Sequence, residues 1–180
     1  MDQAIDDGYL VRRTQDGYLD AYEVLVERYA SRTYRVALRL LGNREDAEDV
    51  TQDALLAAWQ ALPGFRAEAS FSTWLYRIVT TRALNKVTRT ARTEGLDTVP
   101  EPPDRNRGPA DRVQDALAAD AVSEAVAALP SAQRVALVLH EFEGLSYRQI
   151  ADITHSTVPA VRSHLHRARR TLASTLQDWR

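Results

Sequence analysis

From Tyr18 to Leu41, apolar residues recur at helical spacing: Tyr22, Leu25, Val26 and Tyr29, then Val36, Leu40 and Leu41. The spacing predicts one helix over 18–41, stopped by Gly42 just past its end. Asn43 then suits an N-cap, with Glu45 and Asp46 in a first turn where the helix dipole favours anions. The helix it opens runs to about Leu62, ahead of Pro63-Gly64. One of its faces carries Ala47, Val50, Ala54, Ala57 and Ala61, and another carries Asp49, Gln52, Asp53, Leu56 and Gln60. An aromatic-rich start, Phe71 to Arg77, feeds a third helix to about Arg92. Its apolar stripe is Trp74, Leu75 and Ile78, and its exposed positions are basic: Arg77, Arg82, Lys86, Arg89 and Arg92.

Residues 93–112 break this rhythm. Pro100, Pro102, Pro103, Gly108 and Pro109 stand among acids with few apolar residues, which predicts an extended, mobile linker. Helical spacing returns over Val113–Leu129. Further on, Ser146 caps a helix, Gln149 completes a capping box, and Leu145 is placed to staple onto Ile150. That helix is short, ending near Thr154. After a break at His155-Ser156, Thr157 caps a second one, in which Val158, Val161, Leu165, Ala168 and Leu172 share a face.

Composition agrees with helices: Ala occurs 27 times, Gly and Pro only 7 each, so a β sandwich is disfavoured. There is no cysteine, which removes disulfides, thiolate catalysis and Cys-based metal sites. No run of apolar residues is long enough to cross a membrane, and Met1 is followed by acids, not by a secretory leader. A cytoplasmic location is expected. The net charge of −2 hides a pattern. Residues 1–53 hold 7 Arg against 12 acids, and 60–96 hold 6 basic residues against 2. Residues 97–128 hold 3 against 7, and 131–180 hold 7 against 4. Nucleic-acid contact is therefore expected at two confined places. Of the 23 basic residues only Lys86 is a lysine, and Arg is the better bidentate partner for phosphate and guanine.

Candidate catalytic constellations fail on spacing. His140-Glu141 lacks the second histidine of a zinc-protease helix. His164 and His166 diverge by about 200° around a helix and cannot share a metal from one face. Asp49 and Asp53 have no base or metal-binding histidine beside them, so a solvated helix face suits them better than acid–base chemistry. No enzyme activity and no cofactor are expected.

The last two helices form a different kind of unit. A tight turn, a buried stripe and an outer face of Pro159, Ala160, Ser163, His166, Arg167 and Arg170 fit a helix-turn-helix. Small residues at the helix start admit it to the major groove, and Arg and His donate to phosphates and base edges. The plainer alternative is a helical hairpin with a solvated basic face.

Four segments occur in order: Asp46-Ala-Glu-Asp-Val-Thr-Gln-Asp53, Phe71-Ser-Thr-Trp-Leu-Tyr-Arg-Ile78, Gly144-Leu-Ser-Tyr-Arg-Gln-Ile-Ala151 and His166-Arg-Ala-Arg169. With these, the chain resembles the extracytoplasmic-function group of bacterial sigma-70 factors, over roughly residues 15–92 and 113–176. The resemblance implies an all-α fold of two small helical domains. A sigma-two domain would span 15–92, a linker 93–112 and a sigma-four helix-turn-helix domain 113–177. It implies core RNA polymerase and promoter DNA as partners, and an anti-sigma factor as a further one. Asp46, Glu48, Asp49, Gln52, Asp53 and Leu56 would dock on the β′ clamp helices, and the second domain would meet the β flap. Phe65, Arg66, Phe71 and Trp74 would help open the −10 DNA, with Trp74 the more core-like of the last two. Arg77, Thr81, Arg82, Asn85, Lys86 and Arg89 would track the −10 strand. Tyr147, Arg148, Thr157, Pro159, Ala160, Arg162, Ser163, His164, Arg167 and Arg170 would engage the −35 element. The linker would pass near the RNA exit path.

The residues themselves support this division. Strand opening needs aromatic faces for displaced bases and cations for the backbone. Phe65, Phe71, Trp74 and Tyr76 beside Arg66 and Arg77 supply both. Thr81, Asn85, His155 and Pro159 depart from common residues of the group, which bears on promoter preference, not on class. A stand-alone helix-turn-helix regulator would explain 131–176, but not the acidic helix or the aromatic-basic segment. A purely protein-binding helical module is the other alternative.

Overall fold

In a computed structural model of the chain, residues 5–93 and 121–177 are described. The expected linker 93–112, apart from Thr93 at the end of a helix, and the start of the helix expected from Val113 lie outside them. Every regular element among the described residues is helical. The elements are α1 (Asp7–Gln15), α2 (Leu19–Leu41), α3 (Arg44–Ala61), α4 (Phe71–Thr93), α5 (residues 121–127), α6 (Ser131–Leu137), α7 (Tyr147–Thr154) and α8 (Val158–Gln177).

Local rules set most boundaries. Gly42 closes α2 in left-handed geometry at φ 79°, and its N–H returns to the Leu38 carbonyl. The Asn43 side chain accepts from the Asp46 N–H to open α3. A 3-10 turn, Leu62–Gly64, ends α3 at the expected Pro63-Gly64. The capping box of Ser146 and Gln149 opens α7, and His155 ends it at φ 51°, ψ 41°. Histidine tolerates that left-handed position better than most residues do.

Helix α1 lies ahead of the expected domain start, yet it belongs to the bundle. Leu10 and Val11 are buried, and Asp7 accepts from Arg28 and Tyr29 of α2. Gln15 donates from Nε2 to the carbonyls of Leu62 at 3.0 Å and Phe65 at 2.9 Å. α1 therefore fixes the turn that presents Phe65. One core, at this end of the bundle, holds Leu10, Tyr22, Leu25, Tyr29, Leu62, Phe71 and Leu75.

The second core crosses between the halves. Val36, Leu40, Val50, Tyr76 and Val79 of α2–α4 form one cluster with Val126, Leu129, Leu139, Leu145, Ile150, Val161 and Leu165. Arg134 of α6 donates to the Leu40 carbonyl of α2 at 2.6 Å and to the Ala127 and Leu129 carbonyls. Glu143, its side chain 4% exposed, sits 3.9 Å from Arg39 and accepts from the Tyr76 hydroxyl. Two helical units were expected and are found, but they pack on each other and do not meet only through a link. Sequence spacing could not foresee this, because each stripe closes its own bundle and carries no mark of a second partner.

Between α6 and α7 the chain widens into a π turn, Val138–Phe142. His140 Nδ1 lies 2.8 Å from the Leu145 carbonyl. A carbonyl only accepts, so that nitrogen carries the proton. The bond braces the Gly144 turn just ahead of α7.

Candidate nucleic-acid interface

Helix α3 turns Ala47, Val50, Thr51, Ala54 and Ala58 inward. The stripe ends on Ala58 and not on Ala57 and Ala61, which face outward to different degrees. Glu48, Asp49, Gln52, Asp53 and Leu56 are therefore exposed together, with Asp46 half-buried at the start of the row. Leu56 is 56% exposed in the middle of this polar face.

Helix α4 presents the aromatic-basic segment. Phe71 is 4% exposed, wedged between Tyr29 and Phe65, so it is a core residue and no base can stack on it in this arrangement. Trp74 is half-buried and packs on Phe65 with centroids 4.8 Å apart. The expected order of the two is reversed: Trp74 is the accessible ring and Phe71 its support. The physical reason is register. The buried stripe of α4 is Phe71, Leu75, Tyr76, Val79 and Ala83, one step away from the stripe that Trp74 and Ile78 suggested. Arg77, Thr81, Asn85 and Arg89 follow on the exposed side. The Thr81 hydroxyl donates to the Arg77 carbonyl at 2.8 Å. Arg82 and Lys86 are half-buried against α3: Lys86 lies 2.7 Å from Asp46 and 3.5 Å from Asp49, and Arg82 lies 4.0 Å from Asp53.

A cleft of about 860 Å³ separates α4 from α7. Phe65, Arg66, Trp74 and Arg77 line one wall, and Gln149, Asp152 and His155 the other. Gln149 spans it, donating to Thr73 Oγ1 at 3.2 Å, and an Arg77 nitrogen approaches His155 Nε2 at 3.4 Å. A guanidinium only donates, so His155 Nε2 is the acceptor there.

The helix-turn-helix reading holds in α7 and α8. Val161, Leu165 and Ala168 are buried, and Val158 and Leu172 pack beside them. Thr157 accepts from the Ala160 N–H at 3.3 Å, so its hydroxyl caps α8. Arg148, Pro159, Arg162, Ser163, Arg167 and Arg170 are exposed. Ala160 and His164 are half-buried, and the His164 Nδ1 meets no protein partner among the described residues. Tyr147 stacks on His140 with centroids 4.9 Å apart and lies 5.9 Å beneath the Arg162 guanidinium. Arg169 points elsewhere and pairs with Glu141 at 2.6 Å.

Comparison with known proteins matches both halves. The family model for Sigma-70 region 2 covers residues 25–93, and that for Sigma-70, region 4 covers 119–172. The chain is 35% identical to the RNA polymerase sigma-H factor of Pseudomonas aeruginosa, over 95% of this chain and 94% of that protein. It is 29% identical to the ECF RNA polymerase sigma factor SigW of Bacillus subtilis, over 93% and 95% of the two chains. The structure of CnrH in complex with the cytosolic domain of CnrY superposes with a TM-score of 0.70 at 26% identity, covering 96% of this chain and 97% of that one. With region 2 in α2–α4 and region 4 in α5–α8, this chain belongs to the extracytoplasmic-function group of sigma-70 factors, which bind RNA polymerase and promoter DNA and direct promoter-specific transcription initiation.

Proposed function

We propose that three faces divide the task. The exposed face of α3 (Asp46, Glu48, Asp49, Gln52 and Asp53 around Leu56) docks on the β′ clamp helices of the core enzyme. Phe65, Arg66 and Trp74 take a displaced base of the −10 element, and Arg77, Thr81, Arg82, Asn85, Lys86 and Arg89 follow its strand. Tyr147, Arg148 and the outer face of α8 engage the −35 element, and the same half meets the β flap. The division runs near 15–92 and 113–177, with α1 joining the first unit and 93–112 as the link. The chain acts in the cytoplasm, by binding and not by covalent catalysis.

The observation that carries the docking assignment is Leu56. Leu56 stands 56% exposed at the centre of this acidic row, where it offers an apolar contact framed by polar side chains. An apolar centre with a polar rim is the make-up of a protein interface.

The closed arrangement bears on how the task is done. Elements at −35 and −10 lie 25 base pairs apart by their names, about 85 Å along a duplex. Here the turn before α8 touches Arg77 of α4, so the two faces cannot reach both elements until the halves part. The 20 residues of the link 93–112 could span up to about 70 Å when extended, with the breadth of the two helical units adding to that reach. An inhibitory protein of the anti-sigma kind would gain from both docking faces being exposed without polymerase. In its favour, CnrH was solved with a second protein's cytosolic domain bound.

The test is charge reversal. Asp49→Lys with Asp53→Lys should lower core-polymerase affinity at least tenfold while circular dichroism shows unchanged helicity, because exposed carboxylates contribute little to folding. Unchanged affinity would overturn the docking assignment.

A further inference from the structure

Two charge rows whose paired members stand 29 to 40 residues apart in sequence meet in the fold. On α3, Asp46, Asp49 and Asp53 follow at intervals of three and four and form one row. On α4, Arg82 and Lys86 are four apart. The rows interlock: Lys86 bridges Asp46 and Asp49, and Arg82 faces Asp53. The hydrogen bond to Asp46 raises the Lys86 pKa above its ordinary value, against a smaller opposing effect of burial. Lys86, assigned to the −10 strand, is thus paired with two carboxylates assigned to the polymerase, and Arg82 stands 4.0 Å from a third, Asp53. A phosphate reaching Lys86 must displace carboxylates that already hold it.

We propose that this seam is a charge latch: a basic surface of the core enzyme that takes Asp46, Asp49 and Asp53 hands Lys86 and Arg82 over to the DNA backbone. The idea rests on the docking and −10 assignments above and adds a coupling between them. Coupling of this kind is reciprocal, so DNA held by Lys86 and Arg82 also leaves the carboxylates open to the core enzyme. Half-exposed pairs are weak singly, each shifting an equilibrium by no more than about fivefold. Their effect is confined to this seam; Arg77 lies outside it, at the cleft.

The experiment measures binding of a labelled twelve-nucleotide oligothymidylate to the full chain at several salt concentrations. Asp46→Asn with Asp49→Asn keeps the side-chain shape and leaves Asn43 an oxygen to bond. It should tighten binding roughly threefold to tenfold and steepen the salt dependence by about one phosphate contact. Glu23→Gln with Glu27→Gln, exposed on α2, makes the same charge change away from the seam and should alter binding less than twofold. Adding Lys86→Gln to the Asp46/Asp49 variant should abolish its gain. A gain no larger than that of the Glu23/Glu27 control, or one that survives Lys86→Gln, overturns the latch. Should the double variant fold poorly, Asp49→Asn alone reads the same gain in smaller size. Affinity for core polymerase from the encoding organism is measured on the same variants. Unchanged core affinity overturns the docking assignment and the hand-over with it. Lowered core affinity with unchanged oligonucleotide binding overturns the hand-over alone.

Discussion

On α4, Lys86 lies 2.7 Å from Asp46 and Arg82 lies 4.0 Å from Asp53. On α8, Arg162, Arg167 and Arg170 meet no carboxylate among the described residues, and only Arg169 has a partner acid, Glu141. Both helices are basic on their outer side, yet one carries its counter-charges with it and the other does not. Counting arginines and lysines therefore misjudges a nucleic-acid face. What matters is whether a phosphate finds a cation exposed or must displace an internal partner. Among the described residues, the acid beside α8, Glu141, pairs with Arg169 and leaves the outer arginines unengaged by carboxylates and ready for phosphate, whereas α4 borders the acidic α3.

The largest expected effect tests the support under α8. Leu165, 1% exposed, fills the stripe between α7 and the rest of its half. Leu165→Ala should cost about 2–5 kcal/mol of stability by thermal or urea denaturation. Duplex binding by α8 should weaken in step. Intact −35 binding after that loss would show that readiness does not depend on packing.

Arg167→Ala addresses the exposed cations directly. Transcription from −35-dependent promoters should fall, with core affinity unchanged. A lost base-edge contact would cost about 1–3 kcal/mol with relaxed preference at one position. A lost phosphate contact would weaken all sequences alike and flatten the salt slope. An effect on core binding instead would erase the contrast between α8 and α3.

How much of this contrast is legible in the sequence differs by range. Gly42, Asn43, the Ser146–Gln149 box and the left-handed His155 follow local rules, and each is where the spacing places it. The row Asp46–Asp49–Asp53 and the row Arg82–Lys86 are each readable as helix faces. Their interlock is not, because it depends on the register of two helices set by packing against α2. The start of α4 defeats periodicity for another reason: Phe71, Trp74, Leu75 and Tyr76 are apolar on nearly every side, so only Tyr29 and Phe65 decide which ring is buried. α1 escapes notice because Leu10 and Val11, its buried apolar residues, are adjacent and make no helical stripe, and its tie through Asp7 is tertiary.

A smaller effect is expected at Gly42. Its φ of 79° disfavours a side chain, and a Cβ would stand 3.4 Å from the Ala127 Cβ. Gly42→Ala should cost about 1 kcal/mol, read as a lower melting temperature, and should loosen the contact between the halves. The smallest concerns alkaline pH. Burial, helped at Tyr29 by Asp7, pushes Tyr22 and Tyr29 up to about 12, and burial also raises Tyr76. The fold thus favours the protonated phenols. Their contribution is complete below about pH 10 and is lost as pH rises from there toward about 12. Denaturation at pH 9 and pH 11, beside phenolate absorbance, should show the N-terminal bundle weakening as these rings ionise.

Arg134 links the two contrasted regions mechanically. Leu40 lies in the last turn of α2, where helix carbonyls have no partner of their own, and the Arg134 fork from the other half satisfies it. When the halves part, that carbonyl must turn to water, and the final turn of α2 loses its clasp. Asn43, which opens α3 and positions Asp46, follows three residues later. Separation of the halves therefore slackens the backbone at the root of the acidic row. Amide hydrogen exchange at residues 40–47 would quicken on opening, making this short joint the place where the chain's own shape registers whether it is shut.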